Sequence, residues 1–106
     1  MENCDTLLER FLKSGFAICS VLNERKRQDK KWGVQDHTLE WWLAILMEEV
    51  GEMAEAILET HFKNTRWAKP EKGGHKNIRF EAVQVAAVAL AMIECIDRDK
   101  KGEIRK

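Results

Sequence analysis

Residues 81–93 read EAVQVAAVALAMI, and from Ala82 to Ile93 the only polar side chain is Gln84. A helix built from this run is apolar around its whole circumference, and such a helix is covered on every side. Alanines at positions 82, 86, 87, 89 and 91 let neighbouring helices approach closely. The pattern predicts a central helix over roughly Ile78 to Arg98. Glu81 and Gln84 lie on one side of it, a turn apart. Gln84 has two readings at this point: a polar group turned toward a site, or a core amide bonded to a neighbouring helix. Glu94 and Asp97 also read Glu-x-x-Asp, but they start 13 residues beyond Glu81, roughly 20 Å along a helix axis. They are expected on the rim near the helix end.

Upstream, Arg66 to Asn77 holds the single proline, Pro70, and the pair Gly73-Gly74, so it reads as a loop. A second helix is predicted from about Leu39 to Lys63 or Asn64. On a helical wheel Leu43, Leu46, Val50, Met53 and Ile57 form its core stripe. Glu48, Glu49, Glu52, Glu55 and Glu59 fall elsewhere, with no Lys or Arg among them. Like charges at i,i+3 and i,i+4 repel by a few tenths of a kcal/mol each. A solvated acidic face is one reading. Against it, Glu49 and Glu52 share their side with Trp41, Ile45 and Ala56, and carboxylates in an apolar stripe must be paired, protonated or bound to a cation. Hard oxygen ligands without Cys or His select Mg²⁺, with Mn²⁺ as a substitute.

The first helix opens at Thr6-Leu7-Leu8-Glu9, which fits a capping box. Leu8, Phe11, Leu12, Ile18, Cys19 and Leu22 supply its stripe, with a break expected near Ser14-Gly15. Cys19 and Cys95 read as small core residues. A basic run, residues 25–31, leads to a polar connection from Trp32 to His37, where Asp36 or Thr38 caps the second helix. Lys30 in that run, with Lys76 and Arg79 before Glu81, suits phosphate oxygens. Arg66, Lys69 and Lys72 extend the second basic cluster, and Gly73-Gly74 permits close backbone approach or a moving loop. Trp32, beside His37, reads either as a stacking surface for a base or as a plug over the bundle end. Trp41 and Trp42 suit core or subunit interface, and Trp67 could lid a site.

The chain has 106 residues, 18 basic and 18 acidic, with 44% hydrophobic and 34% charged side chains. One domain spanning 1–106 is expected, all-α, with residues 99–106 a frayed tail. Three main helices form a four-helix-type bundle only if another copy completes it, as a homodimer or tetramer. Zero net charge argues against nucleic acid as a partner. No stretch reaches the ~20 apolar residues of a membrane span, and the first residues lack signal-peptide character, so a cytoplasmic protein is expected. The histidine spacing does not suit zinc, and the lack of any Glu-x-x-His excludes a ferritin-like di-iron bundle.

Glu48-Glu49-Val50-Gly51-Glu52, followed after a basic loop by Glu81-Ala82-Val83-Gln84, resembles the EExxE…ExxD signature of the all-α nucleoside triphosphate pyrophosphohydrolases. That group includes the MazG-like proteins, the dimeric dUTPases and the dCTP pyrophosphatases. The segment from Glu24 to Gly33 (ERKRQDKKWG) is similar to that of small phage and mobile-element MazG-like proteins, and the likeness covers about residues 20–98. It implies hydrolysis of a nucleoside triphosphate to the monophosphate and pyrophosphate with Mg²⁺. Glu49 and Glu52 match the ExxE ligands, Glu81 the first ligand of ExxD, and Glu48 the acid that orients or deprotonates water. Gln84 stands where the family usually has Asp; an amide oxygen still coordinates a hard cation but removes one negative charge. The competing expectation, which Gln84 favours, is a non-enzymatic helical interaction module with a degenerate metal site.

Overall fold

The computed structural model describes residues 6–61 and 73–99, and its elements are three helices: α1 (Leu7–Trp32), α2 (Leu39–His61) and α3 (His75–Arg98). The chain is all-α, with no strand among the described residues. Trp67, Arg66, Lys69, Pro70 and Lys72, and the tail beyond Asp99, lie outside the described residues.

Local chemistry sets the ends of the helices. At the start of α1 the Glu9 N–H donates to Thr6 Oγ1 at 3.1 Å and the Thr6 N–H donates to Glu9 Oε1 at 2.9 Å, closing the expected box. Its end falls at Gly33, whose φ of 71° suits glycine and whose N–H donates to the Asp29 carbonyl. The expected break at Ser14-Gly15 does not occur. One mid-helix glycine costs about 1 kcal/mol, too little to divide a capped helix of 26 residues. Thr38 rather than Asp36 caps α2, its Oγ1 accepting from the Trp41 N–H at 3.2 Å. Asp36 is held instead by Arg98 at 2.9 Å, which also donates to the Gln35 carbonyl, so the α1–α2 connection is tied to the end of α3.

The third helix begins at His75, three residues earlier than the apolar pattern indicates. Gly74, at φ 95°, turns the chain, and its carbonyl accepts from the Ile78 N–H. The Gly74 N–H donates to Thr60 Oγ1 at 2.7 Å, and a Cβ on Gly73 would lie 3.1 Å from the Glu59 and Thr60 backbone. The two glycines therefore serve a close crossing of α3 over the end of α2.

α3 is central, packed against both α1 and α2. Trp42, Val88, Ala91 and Cys95 form the buried core, with Ile45, Leu46 and Met92 packed against it. Trp42 is the buried member of its pair, while Trp41 is 60% exposed. Cys95 is buried as expected, and its thiol donates to the His37 carbonyl. Cys19 is exposed, which corrects its reading as a core residue. Leu43 and Ile57 are also exposed: α2 carries apolar residues on more than one arc, and α3 covers the one bearing Trp42, Ile45, Leu46 and Ala56. α3 itself is not buried all round. Two neighbours cover its Gln84–Ala87–Val88–Ala91–Cys95 face and leave Phe80 and Ile93 in solvent. The apolar stripe of α1 lies open too, with Leu7, Leu8, Leu12 and Phe16 each more than half exposed.

Polar groups hold the C-terminal half of α1 to the C-terminal half of α3. Arg25 Nε donates to Glu94 Oε1 at 3.1 Å, its Nη1 to Gln28 Oε1 at 2.9 Å, and its Nη2 to Asp29 Oδ1 at 3.0 Å. Glu94, expected on the rim, is thus an anchor between helices. Arg25→Ala leaves Glu94 and the buried Gln28 without this partner, and a loss of about 2 kcal/mol is expected in urea unfolding. A change below ~0.5 kcal/mol, the range of ordinary surface substitutions, would show that the network does not hold α1 in place.

Candidate active site

The helical geometry of α2 puts Glu49 and Glu52 one turn apart on its α3-facing side, and α3 brings Glu81 opposite them. One carboxylate oxygen from each of the three lies within 4.8 Å of the others. Oxygen ligands of Mg²⁺ stand roughly 2.1 Å from the ion, so the three side chains would have to draw closer together to share one. The donor set is three hard oxygens with no sulfur or imidazole, which fits Mg²⁺ or Mn²⁺. Burial, and then the negative charges of Glu52, Glu81, Glu48 and Glu24, push the Glu49 carboxyl above its ordinary range. A cation relieves that repulsion.

Two cavities share Gln84 in their walls, and Glu49 of the cluster lines one of them. The first, of about 310 Å³, is lined among others by Trp32, Trp42, Glu48, Glu49 and Gln84; the second, of about 450 Å³, by Glu24, Arg27, Lys76, Arg79, Phe80 and Gln84. Gln84 stands between them. The structure therefore gathers Glu49, Glu52 and Glu81 into one cluster, sets Glu48 and Trp32 beside it, and collects Lys76 and Arg79 across Gln84. His37 and Lys30 line neither cavity. His37 packs edge-on against Trp42 with ring centroids 4.8 Å apart, which makes it part of the wall behind Trp42. Trp32 is half exposed, with Lys31 Nζ 4.8 Å from its ring centroid. Arg79 donates to Ser20 Oγ at 3.0 Å and lies over the Phe16 ring, so its guanidinium is already oriented.

The basic run of residues 25–31 needs correction as a single phosphate-binding unit. Arg25 is committed to Glu94 and Asp29, and Arg27 to Glu24, with Arg27 Nε 3.0 Å from Glu24 Oε1. Sequence reasoning also missed Glu24 and Gln28, both buried. The available signal was register. Val21, half-buried, steps by four residues onto Arg25, and Arg25 by three onto Gln28, so the inward arc of α1 turns polar as it reaches the site.

Comparison with family models, with curated proteins and with solved structures finds no match for the chain. Among the described residues no helix is long and apolar enough to cross a membrane.

Proposed function

We propose that the chain is a Mg²⁺-dependent nucleoside triphosphate pyrophosphohydrolase, converting a nucleoside or deoxynucleoside triphosphate and water to the monophosphate and pyrophosphate. The observation that carries this reading is the meeting of Glu49, Glu52 and Glu81 from two helices beside cavities of opposite character. In this reading those three side chains, with the Gln84 oxygen, hold the ion. Bound there, Mg²⁺ would supply positive charge against the phosphate oxygens. Lys76 and Arg79 take further phosphate oxygens, and the half-exposed Trp32 ring offers a face to the base. Glu48, which lines the same cavity as Glu49, accepts the proton of a water that adds to phosphorus at the α–β anhydride as the bond to the bridging oxygen breaks.

A homodimer or tetramer belongs to the same proposal, because the open stripe of α1 and the uncovered faces of α2 and α3 need a second copy to exclude water. The test is a panel of canonical and modified nucleoside triphosphates with Mg²⁺ and with Mn²⁺, followed for pyrophosphate. Release from at least one is expected. No release from any would favour a non-enzymatic helical module, a reading with one observation on its side: the side chain that lines the Glu48 and Glu49 cavity from α3 is the neutral, buried Gln84.

A further inference from the structure

The wall of the cavity that holds Glu48 and Glu49 also includes Gln35, from the connection between α1 and α2. Three consecutive residues of that connection are tied to the last turns of α3. Arg98 Nη2 donates to the Gln35 carbonyl at 3.0 Å and to Asp36 Oδ1 at 2.9 Å, and the Cys95 thiol donates to the His37 carbonyl at 3.8 Å. Two residues before Gln35, the Gly33 N–H donates to the Asp29 carbonyl and closes α1. Residue 35 is therefore fixed to two helix ends although it lies in neither. A connection anchored in this way holds its side chains ready for recognition.

The polar groups of the cavity differ in what already engages them. Gln28 accepts from Arg25 and donates to Glu24. Glu48 and Glu49 belong to the acidic site, and Gln84 is buried. Gln35 is half-buried, and its backbone carbonyl is the group that Arg98 holds. Its carboxamide has no hydrogen-bond partner among the described residues. A carboxamide offers one acceptor and two donors, so it pairs with an edge that sets a donor beside an acceptor. Nucleobases combine such edges with flat apolar faces. The rest of the wall suits those faces, with Trp32, Trp42, Ile45, Val88 and Ala91. At about 310 Å³ the cavity is small for a ligand site and matches a base better than a whole triphosphate.

We propose that Gln35 is a specificity-determining residue: its carboxamide reads the hydrogen-bonding edge of a base lying against Trp32, and Arg98 is the positioning residue that fixes Gln35 there. This rests on the nucleotide reading above. A paired amide contact of this kind separates a fitting base from an ill-fitting one by roughly tenfold or more.

The test titrates ¹⁵N-labelled protein, without metal, with the deoxynucleoside monophosphates of the four canonical bases, and compares kcat/KM for the four triphosphates. In the natural chain the Gln35 side-chain NH₂, assigned by its loss in Gln35→Leu, and the Trp32 indole N–H are expected to shift. Affinities for the best and worst base are expected to differ by about tenfold. Gln35→Leu is expected to bring that ratio close to one in binding and in kcat/KM alike. Arg98→Ala is expected to lower it by about threefold or more, with Arg98→Lys recovering part of the loss. A purely structural role for Arg98 would lower the melting temperature and leave the ratio intact. An unchanged ratio in Gln35→Leu or in folded Arg98→Ala, or binding by the natural chain with no base preference, overturns the inference alone. If Arg98→Ala does not fold, Gln35→Leu decides. Neither monophosphate binding nor pyrophosphate release by the natural chain overturns the nucleotide reading and this inference together.

Discussion

Replacing Glu49 by Gln is expected to lower pyrophosphate release at least ~100-fold while raising the melting temperature of the metal-free protein. The two effects have one cause. Burial and four neighbouring glutamates raise the Glu49 carboxyl above its ordinary range in the folded chain. Between its unfolded and folded values the native state binds more protons than the unfolded state, so stability falls as pH rises through that window. Stability from this group is present on the acid side and lost above it. Glutamine keeps the shape and never ionises, so it removes the loss at neutral pH. It also removes a charged ligand, so the same change abolishes the tight response to Mg²⁺. Trading stability for a strained, charged site is common where function requires it. Thermal unfolding in a chelating buffer and the pyrophosphate assay check the pair of effects. A lower melting temperature with retained turnover would mean that Glu49 is only part of the fold.

The second large effect concerns α1. Leu8 and Leu12 are 67% and 72% exposed in the single chain. On a lone molecule, aspartate at both positions would change stability by no more than ~0.5 kcal/mol each. In an interface between copies the same change buries two charges and costs several kcal/mol. The natural chain is expected to sediment as a dimer or tetramer, and Leu8→Asp with Leu12→Asp as a smaller species or as unfolded chain, with pyrophosphate release falling alongside. A natural chain that sediments as a stable monomer, unaffected by the pair, would mean that this stripe is not an interface.

The elements were legible in the sequence because each has a local cause. The Thr6–Glu9 capping box, Gly33, Thr38 and Gly74 lie at or beside the helix ends, and apolar periodicity fills the intervals. The convergence of Glu49, Glu52 and Glu81 was legible through the resemblance, whose EExxE…ExxD signature joins the two helices; spacing alone puts Glu49 and Glu52 on one side of α2. What a helical wheel cannot give is which arc of an apolar helix its neighbour covers, so Leu43, Ile57 and Cys19 were assigned to a core they do not join. It also cannot pair charges across helices. Arg25 and Arg27 counted as free cations in the sequence because Glu94 is 69 residues from Arg25 along the chain. The Arg27 partner, Glu24, was near in sequence, but its burial depends on α3. Gln84 looked like a simple departure from an acidic motif, and only the packing of α3 shows it buried and shared by the walls of two cavities.

The claim beneath all of this is that carboxylates from α2 and α3 share one divalent ion. Mn²⁺ binding by the natural chain, Glu49→Gln and Glu81→Gln, measured side by side at neutral pH, tests it most directly. Saturable binding by the natural chain that both substitutions, one on each helix, weaken by tenfold or more is the expected result. Binding that survives Glu81→Gln unchanged, or no binding by the natural chain, would contradict it.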